Sequence, residues 1–292
     1  MLDIVVDTDL GHDPDDLFTL LWLHAVGYNI RAIALNPGDP DQIALARFLV
    51  EELSLDCAVG VSHLDRTKPS SGGVHHWVLD KFGRSKNERC LVTGAAAFLN
   101  ARLKYPNCSA LVIGPATNMG RALESGFFNP KELTMQGGFC PYLLHSPEVR
   151  EEKFTNVVSA PTFNFNGDRK AVAQILAAPM ERRLFVGKNV CHTLVYDKYI
   201  HSQLLPKEGG WAGELFQICM NKYLEKHGEK KFHDPLAATL HQDPNMGTWL
   251  RATPEKLGGE WTTSYANKDS LVLVDVDREK FWYKITSFKT GK

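Results

Sequence analysis

The sequence predicts an α/β fold built on an open, mostly parallel sheet with helices on both faces. Apolar runs short enough for buried strands alternate along the chain with longer segments of helical spacing. That alternation favours a parallel sheet, because the crossover helices must cover both of its faces. Near the C-terminus two β-like runs, 270–276 and 280–286, are separated by only three residues, which predicts a small antiparallel hairpin.

The elements follow one another from the N-terminus. Residues 4–6 resemble a buried strand, and the apolar side of the next helix is formed by Leu17, Leu20, Leu21 and Leu23. Later strands are expected at 29–35, 57–61, 109–113, 133–136 and 183–186, and later helices at 40–53, 116–123 and 168–176. Because no repeat, low-complexity tract or linker interrupts this pattern, residues 1–292 are predicted to form a single domain with a Rossmann-like sheet.

Two long stretches, 62–90 and 137–162, show no regular pattern and are predicted to be loops. The first contains a turn-forming run at 69–73 and the adjacent histidines His75 and His76. Loops this long are usually functional, and the site of an open α/β sheet lies at the carboxyl ends of its strands. We therefore expect both stretches to border a site, the alternative being that they are decorative insertions.

The composition excludes several classes of protein. Hydrophobic residues make up 43% and charged residues 23% of the chain, as in ordinary globular proteins, and the net charge of −1 gives no reason to expect a nucleic-acid or membrane partner. The six cysteines are scattered without a CxxC pair, so we expect reduced thiols. With no signal peptide or transmembrane run, the sequence predicts a cytoplasmic protein.

Five carboxylates fall within ten residues directly after the first strand: Asp7, Asp9, Asp13, Asp15 and Asp16. Two unit charges about 4 Å apart repel by roughly 4 kcal/mol at an effective dielectric near 20, and a helix dipole offsets only about 0.3–1 kcal/mol of this. A polar turn that caps a helix would explain one or two of these acids. For all five, either the side chains splay into water, some are protonated, or a cation lies among them. Because oxygen ligands suit hard cations, we favour a Ca²⁺ or Mg²⁺ site.

The geometry of a strand–turn–helix corner refines this expectation. Residues i and i+2 of a strand face the same way, so Asp7 and Asp9 are expected on one side. Gly11 permits a sharp turn, and Asp15 and Asp16 open the following helix.

Other polar residues have ordinary structural explanations when taken alone. Asp234, followed by Pro235, would be a helix N-cap. Asn164 would be a turn residue, residues 114–118 a strand-to-helix connection, and His76 a solvent-exposed loop residue.

Several of these motifs together resemble the inosine-uridine-preferring nucleoside hydrolases. They are the opening Asp7-Thr8-Asp9-Leu10-Gly11 with its later Asp-Asp pair, residues 113–118, residues 135–138, Asn164 and residues 233–236, in family order. The resemblance implies the nucleoside hydrolase fold, which agrees with the sheet predicted above. It also implies hydrolysis of the N-glycosidic bond of ribonucleosides with a bound Ca²⁺, which is favoured over Mg²⁺.

The resemblance implies a metal site with four ligands. Asp9 would bind the ion and act as general base, Asp16 would be the bidentate ligand, and Asp234 would complete the site from the far side. Ile113 matches the position that offers its backbone carbonyl. Asp7 would support these ligands from behind.

The same resemblance implies a set of substrate contacts. Asp15 would hold the ribose hydroxyls, Asn156 and Asn164 match ribose-binding asparagines, and Asp39 falls where the family usually has an asparagine. Asp234 would contact the substrate as well as the ion. The leaving base must be protonated or stabilised, for which His233 is the leading candidate, followed by His76 and the segment 223–232.

Three departures from the family pattern bear on the substrate. Residues 12–16 carry two more residues than the usual Gly-x-Asp-Asp, so Asp13 competes with the pair that we align. Thr162 stands where a glutamate is expected at the ribose, so the substrate is predicted to be altered near its 5′ carbon or to be hydrolysed poorly. Alternatively, a water or a loop acid replaces that glutamate: Glu148, Glu151 or Glu152. The segment 138–156 is also longer than usual.

Two rival functions remain open at this point. A Mg²⁺-dependent phosphohydrolase would use Asp7 as nucleophile, but no lysine or Ser/Thr motif is placed for a phosphate. A catalytically silent relative would bind a ribosyl ligand without turnover. The favoured prediction is a ribonucleoside hydrolase of purine or pyrimidine salvage, acting on a small-molecule nucleoside as a homodimer or homotetramer.

Overall fold

The computed structural model describes residues 2–66, 73–84, 88–203, 211–265 and 269–287. Most of the turn-forming run predicted at 69–73 lies outside these residues. The strands, numbered along the chain, are β1 (Leu2–Thr8), β2 (Tyr28–Leu35), β3 (Ala58–Val61), β4 (Ser109–Val112), β5 (Glu132–Gln136), β6 (Arg182–Val186), β7 (Val195–Tyr196), β8 (Lys230–Lys231), β9 (Gly247–Arg251), β10 (Thr253–Leu257), β11 (Glu260–Ser264) and β12 (Leu271–Val276).

The helices connect these strands and cover the sheet. They are α1 (Pro14–Ala25), α2 (Pro40–Glu52), α3 (Val74–Phe82), α4 (Gly94–Lys104), α5 (Thr117–Glu124), α6 (Phe163–Gly167), α7 (Arg169–Ala177), α8 (Lys188–His192), α9 (Lys198–Gln203), α10 (Trp211–His227), α11 (His233–Gln242) and α12 (Arg278–Ser287). Short 3₁₀ turns lie at Tyr142–Leu144, Pro147–Val149, Glu152–Phe154 and Pro244–Met246.

The central sheet confirms the predicted fold class. Its strand order is β3-β2-β1-β4-β5-β6-β12-β9, and all neighbours are parallel except β12 and β9. The chain runs from β1 outward to β3 and then returns to place β4 on the other side of β1. The order therefore reverses between β1 and β4, and loops at such a switch point leave a crevice at the carboxyl ends of the strands.

Strand β1 shows why the sheet is covered on both faces. Ile4, Val5 and Val6 are all fully buried, but Val5 packs into a different apolar core from its two neighbours. Successive side chains of a strand point to opposite faces, so a strand with helices on both sides is apolar throughout. Helices α1 and α11 contribute Leu17 and Leu236 to one core. The other core includes Phe98 of α4 and Met119 of α5.

The prediction of a second strand at 280–286 is wrong, because these residues belong to α12. Phe281 and Ile285 are fully buried four residues apart, which is the spacing of one helix face, and the Asp277 carboxylate accepts a bond from the amide of Lys280 at 2.9 Å. The small antiparallel hairpin is formed by β10 and β11 instead, around Gly258 with φ +62°.

The stretch 62–90 is also more regular than predicted. Its residues 74–82 form α3, whose buried Val74, Val78 and Leu79 follow helical spacing. Within the part of the chain that the structure describes, no helix has both the length and the apolar composition to cross a membrane.

Candidate active site

The site begins at the carboxyl end of β1, next to the switch point. Asp9 follows the strand, and Gly11 with φ +113° turns the chain into α1. The Thr8 hydroxyl donates to the Asp16 carboxylate and accepts from the amide of Leu10 at 3.1 Å. This short hydrogen-bonded turn brings the strand end and the helix start together.

Helix α1 presents its acids to the inside of the protein. Asp15 and Asp16 in its first turn are 2% and 3% exposed, and Pro14 occupies a position where the missing N–H costs nothing. Across the crevice, Asp234 is 5% exposed in the first turn of α11. It is not the helix N-cap, since α11 already begins at His233. We call Asp9, Asp13, Asp15, Asp16 and Asp234 the acidic cluster.

The pKa values of the acidic cluster show that its charge is under-compensated. Burial and then the charges of Asp13 and Asp15 raise the pKa of Asp9 to about 8. Burial, followed by the other carboxylates of the cluster, raises the pKa of Asp16 and of Asp234 well above the usual range. Because the donors are all oxygens and would gain from added positive charge, they fit a hard divalent cation.

Lys230 is a site residue that sequence reasoning did not single out, although it lies within the predicted segment 223–232. Its ammonium contacts the Asp13 carboxylate and lies 3.0 Å from Asp15 Oδ1, although the side chain is only 7% exposed. Burial opposes its charge, but Asp15 and Asp13 outweigh that effect and raise its pKa. For Asp13 the balance is reversed, since burial and Asp15 raise its pKa to about 6 despite Lys230. One lysine therefore offsets only part of the negative charge.

The two residues that follow β4, Ile113 and Gly114, contribute backbone to the same crevice. The amide of Ile113 donates to the Asp7 carbonyl at 2.8 Å, and a side chain at Gly114 would come within 2.5 Å of the Asp9 nitrogen, so only glycine fits there. The carbonyl of Ile113 accepts a bond from the Asn164 amide at 2.9 Å. A carbonyl oxygen has a second lone pair, so this bond leaves room for a further partner.

Asp7 contacts α5 through both oxygens. They accept bonds from the Asn118 side chain and the Met119 amide, each at 2.8 Å, and burial raises the pKa of Asp7 to about 7. A fully buried carboxylate with both oxygens bonded is unsuited to attack a phosphoryl group. Asp7 therefore does not suit the role of nucleophile that the alternative phosphohydrolase hypothesis gives it.

His233 lies at the edge of the acidic cluster, with Nδ1 4.0 Å from Asp15 Oδ2. Its ring contacts that of His192 at 5.3 Å between centroids, and His192 contacts Phe154 at 5.4 Å. Burial lowers the pKa of both histidines to about 3, and Lys230 is the next cause for His233. Sequence reasoning missed His192, which no motif marks.

Asp39 and His76 have structural partners of their own. Asp39 is fully buried at the N-cap of α2, where it accepts from the amides of Asp41 and Gln42 at 3.0 Å. His76 Nε2 lies 3.3 Å from an Asp41 oxygen. The neighbouring His75, fully buried, is the histidine that contacts the turn after β1, through the Gly11 carbonyl.

The remaining predicted substrate contacts divide between exposed and buried positions. Asn156 is exposed and has φ +61°. Thr162 is 5% exposed, and its hydroxyl accepts from the amide of Gly138 at 3.4 Å. Asn164 follows on α6 and also donates to Gln136 Oε1 at 2.7 Å. The structure therefore brings Asn164 to the Ile113 carbonyl, whereas contacts of Asn156, Asp39 and His76 with a ligand stay predictions.

Comparisons with known proteins agree with this architecture. The family model described as inosine-uridine preferring nucleoside hydrolase matches residues 4–283. A plant nucleoside hydrolase is similar at 17% identity and TM-score 0.75, with 98% of this chain and 99% of that one covered. The purine-preferring ribonucleoside hydrolase from Gardnerella vaginalis is similar at 18% identity and TM-score 0.70, with 97% and 96% covered. No curated protein sequence gives a significant match.

A further similar structure is the inosine-uridine preferring nucleoside hydrolase from Bacillus anthracis, at 16% identity and TM-score 0.71. It covers 98% of this chain and 98% of its own. At these identities the structural likenesses establish the fold, while the family match extends over nearly the whole chain.

Proposed function

The chain belongs to the inosine-uridine preferring nucleoside hydrolase family, whose members are N-glycosyl hydrolases, and from this we propose that it hydrolyses ribonucleosides at the acidic cluster. The observation that carries the proposal is the acidic cluster itself. Carboxylate oxygens of Asp13, Asp15 and Asp16 lie within 4.8 Å of one another, and burial and neighbouring carboxylates raise the pKa of Asp9 and of Asp234. Such a group of buried acids in a cleft is typical of a functional site.

The ion that we propose for this site is Ca²⁺, held by Asp9, Asp16, Asp234 and the carbonyl of Ile113. Ca²⁺ accepts six to eight oxygen ligands in flexible geometry, which suits carboxylates from two helices and a loop better than the strict octahedron of Mg²⁺. When bound, the ion would supply a water of lowered pKa and a fixed orientation for the sugar.

The protein's own residues would then perform the hydrolysis. Asp9 takes a proton from a water molecule while the oxygen of that water bonds to the anomeric carbon. The bond from the anomeric carbon to the base nitrogen breaks at the same time. The products are ribose and the free base, which gains a proton. Asp15 and Asn164 hold the ribose hydroxyls, with Asp39 and Asn156 as further contacts.

His233 is proposed to stabilise the leaving base. Because burial lowers its pKa to about 3, the imidazole is neutral near pH 7 and still carries one N–H donor. It would therefore donate a hydrogen bond to the base as negative charge develops there. His76, whose Nε2 lies 3.3 Å from an Asp41 oxygen, is proposed as a secondary contact of the leaving base.

Turnover assays test the proposal directly. Inosine, uridine and p-nitrophenyl riboside should be hydrolysed in the presence of Ca²⁺, and p-nitrophenyl phosphate should not. His233→Ala should reduce activity on inosine far more than on p-nitrophenyl riboside, whose leaving group needs no proton. Binding of ribose without turnover of any nucleoside would favour the catalytically silent relative instead.

The biological setting follows from the same proposal. We expect a homodimer or homotetramer that acts on free nucleosides in the cytoplasm, as part of purine or pyrimidine salvage. Sedimentation equilibrium would give the oligomeric state.

A further inference from the structure

Three lysines lie near the histidine pair of His192 and His233. Lys153, Lys188 and Lys231 all lie close enough to His192 to lower its pKa, and Lys188 also acts on His233. We call these three lysines the basic wall. Lys188 follows the carboxyl end of β6, at the same edge of the parallel sheet as Asp9 after β1.

Ring contacts connect the basic wall to the acidic cluster without a break. The ammonium of Lys153 lies 5.2 Å from the centre of the Phe154 ring, Phe154 contacts His192, and His192 contacts His233. His233 in turn lies 4.0 Å from Asp15. The contacts therefore form a continuous path from Lys153 to Asp15.

Of the three lysines in the basic wall, Lys188 has its positive charge least compensated by carboxylates. Lys153 pairs with Glu151 at 3.2 Å and Lys231 with Glu229 at 3.0 Å. Among the described residues Lys188 has no carboxylate partner, and its ammonium donates only to the Pro161 carbonyl at 3.3 Å. It is half-buried directly after the carboxyl end of β6, and burial together with Lys153 lowers its pKa.

The neighbourhood of Lys188 offers further groups suited to an anion. Its carbonyl partner, Pro161, precedes Thr162, whose buried hydroxyl is neutral. The amide of Lys188 donates to the Gly138 carbonyl at 3.0 Å, which fixes the backbone from which the side chain extends. An anionic oxygen group at Lys188 would form a charge-assisted hydrogen bond and replace water there.

We infer that the substrate is a nucleoside that carries a negatively charged group. That group binds Lys188 while the sugar binds the acidic cluster. The inference rests on the proposed hydrolase function and adds the substrate class to it. The group is a phosphate on the sugar or an acid on the base, since both present oxygens of the same charge to the lysine. Opposite charges at the two ends of the crevice then orient the nucleoside.

The test compares three compounds in the presence of Ca²⁺: the nucleotide uridine 5′-monophosphate and the nucleosides orotidine and uridine. At least one of the two anions should exceed uridine in kcat/KM by about 10- to 100-fold, the range of one charge-assisted hydrogen bond. A preference for the monophosphate identifies a sugar phosphate, and one for orotidine identifies an acidic base. Hydrolysis of uridine at least as efficient as that of both anions overturns the inference and leaves the hydrolase function intact.

Variants assign the preference to Lys188. Lys188→Met should reduce the ratio of anion to uridine to about one, and Thr162→Glu, which places a negative charge beside the lysine, should reduce it in the same direction. Lys170→Met is the matched control, because this lysine is 74% exposed and pairs with Glu124 at a distance from the crevice. A ratio unchanged by both site variants overturns the assignment.

Equilibrium binding separates this inference from the hydrolase proposal. If neither these three compounds nor inosine is hydrolysed, the hydrolase function fails, and calorimetric titration with the three compounds decides the inference. Binding of an anion about tenfold or more tighter than uridine supports it, and equal affinities overturn it.

Discussion

Asp9 lies one residue beyond β1, where burial and its carboxylate neighbours raise its pKa to about 8. If it removes the proton from water, Asp9→Asn should lower kcat by at least about 10²-fold, the low end for general-base catalysis. Metal content must be measured alongside, since loss of the ion would give the same result. Asp56→Asn, at a carboxylate that is 63% exposed, is the control. Near-normal turnover with the ion retained would exclude Asp9 as the base.

Lys230 permits a second prediction at the same scale. Lys230→Met removes one positive charge from the acidic cluster. A unit charge about 8 Å from a divalent ion repels it by roughly 4 kcal/mol at an effective dielectric near 20. Ca²⁺ should therefore bind about tenfold or more tightly at pH 8, while the metal-free protein loses stability because Asp13 and Asp15 lose their partner.

The comparison with Lys230→Arg makes this test specific, because arginine keeps the charge and should leave the Ca²⁺ affinity close to that of the wild type. Calcium titration calorimetry and urea unfolding in EDTA give the two readouts. Weaker Ca²⁺ binding by Lys230→Met would contradict the electrostatic role of this lysine.

At the scale of elements, His241 fixes α11 against the sheet. Its ring nitrogens lie 2.9 Å from the Thr134 hydroxyl on β5 and 2.8 Å from the Ser109 hydroxyl on β4. Burial lowers its pKa from 6.5 to about 4. Because the folded state disfavours the protonated ring, stability from this group is complete above pH 6.5 and is lost as the pH falls toward 4. The free energy of unfolding should fall by about 3 kcal/mol through this group.

Urea unfolding measured between pH 7 and pH 4 would detect this loss. Other buried histidines titrate in the same range, so the informative quantity is the difference between the wild type and His241→Gln, whose amide retains hydrogen bonds but does not titrate. Parallel pH profiles of the two proteins would show that His241 does not contribute.

At the scale of the whole molecule, the proposed ion joins elements that are far apart in sequence. Asp9, Asp16 and Asp234 follow β1, begin α1 and begin α11, so a bound ion should stabilise the fold as a unit. At about 100 times the dissociation constant, Ca²⁺ should add roughly 2.7 kcal/mol to the free energy of unfolding, or about 4 °C in Tm for a chain of 292 residues. Differential scanning calorimetry with Ca²⁺ or EDTA measures this shift, and an unchanged Tm would contradict the site.

Ion binding should also release protons. Burial and carboxylate neighbours raise the pKa of Asp9 to about 8, so the proton that it holds near pH 7 must leave when the carboxylate becomes a ligand. The affinity for Ca²⁺ should therefore increase from pH 6 to pH 8. Calorimetric titrations in buffers of different ionisation enthalpy count the protons, and a heat independent of the buffer would exclude this linkage.

The sequence by itself determined the features that depend on local pattern. The apolar run of β1, the turn at Gly11 and the acids of α1 are neighbours in the chain, so their order predicts a strand–turn–helix corner with crowded carboxylates. Alternation of strands and helices likewise predicted the parallel sheet, because both periodicities are read over a few residues.

The tertiary structure decided what depends on partners from distant parts of the chain. Lys230 reaches Asp13 across 217 residues, and no local pattern marks a buried lysine that stays charged beside two acids. The segment 280–286 carries residues that suit a strand or a helix equally, and it is helical because Phe281 and Ile285 enter the same core. Packing and charge pairing are properties of the assembled sheet, since its strand order brings these groups together.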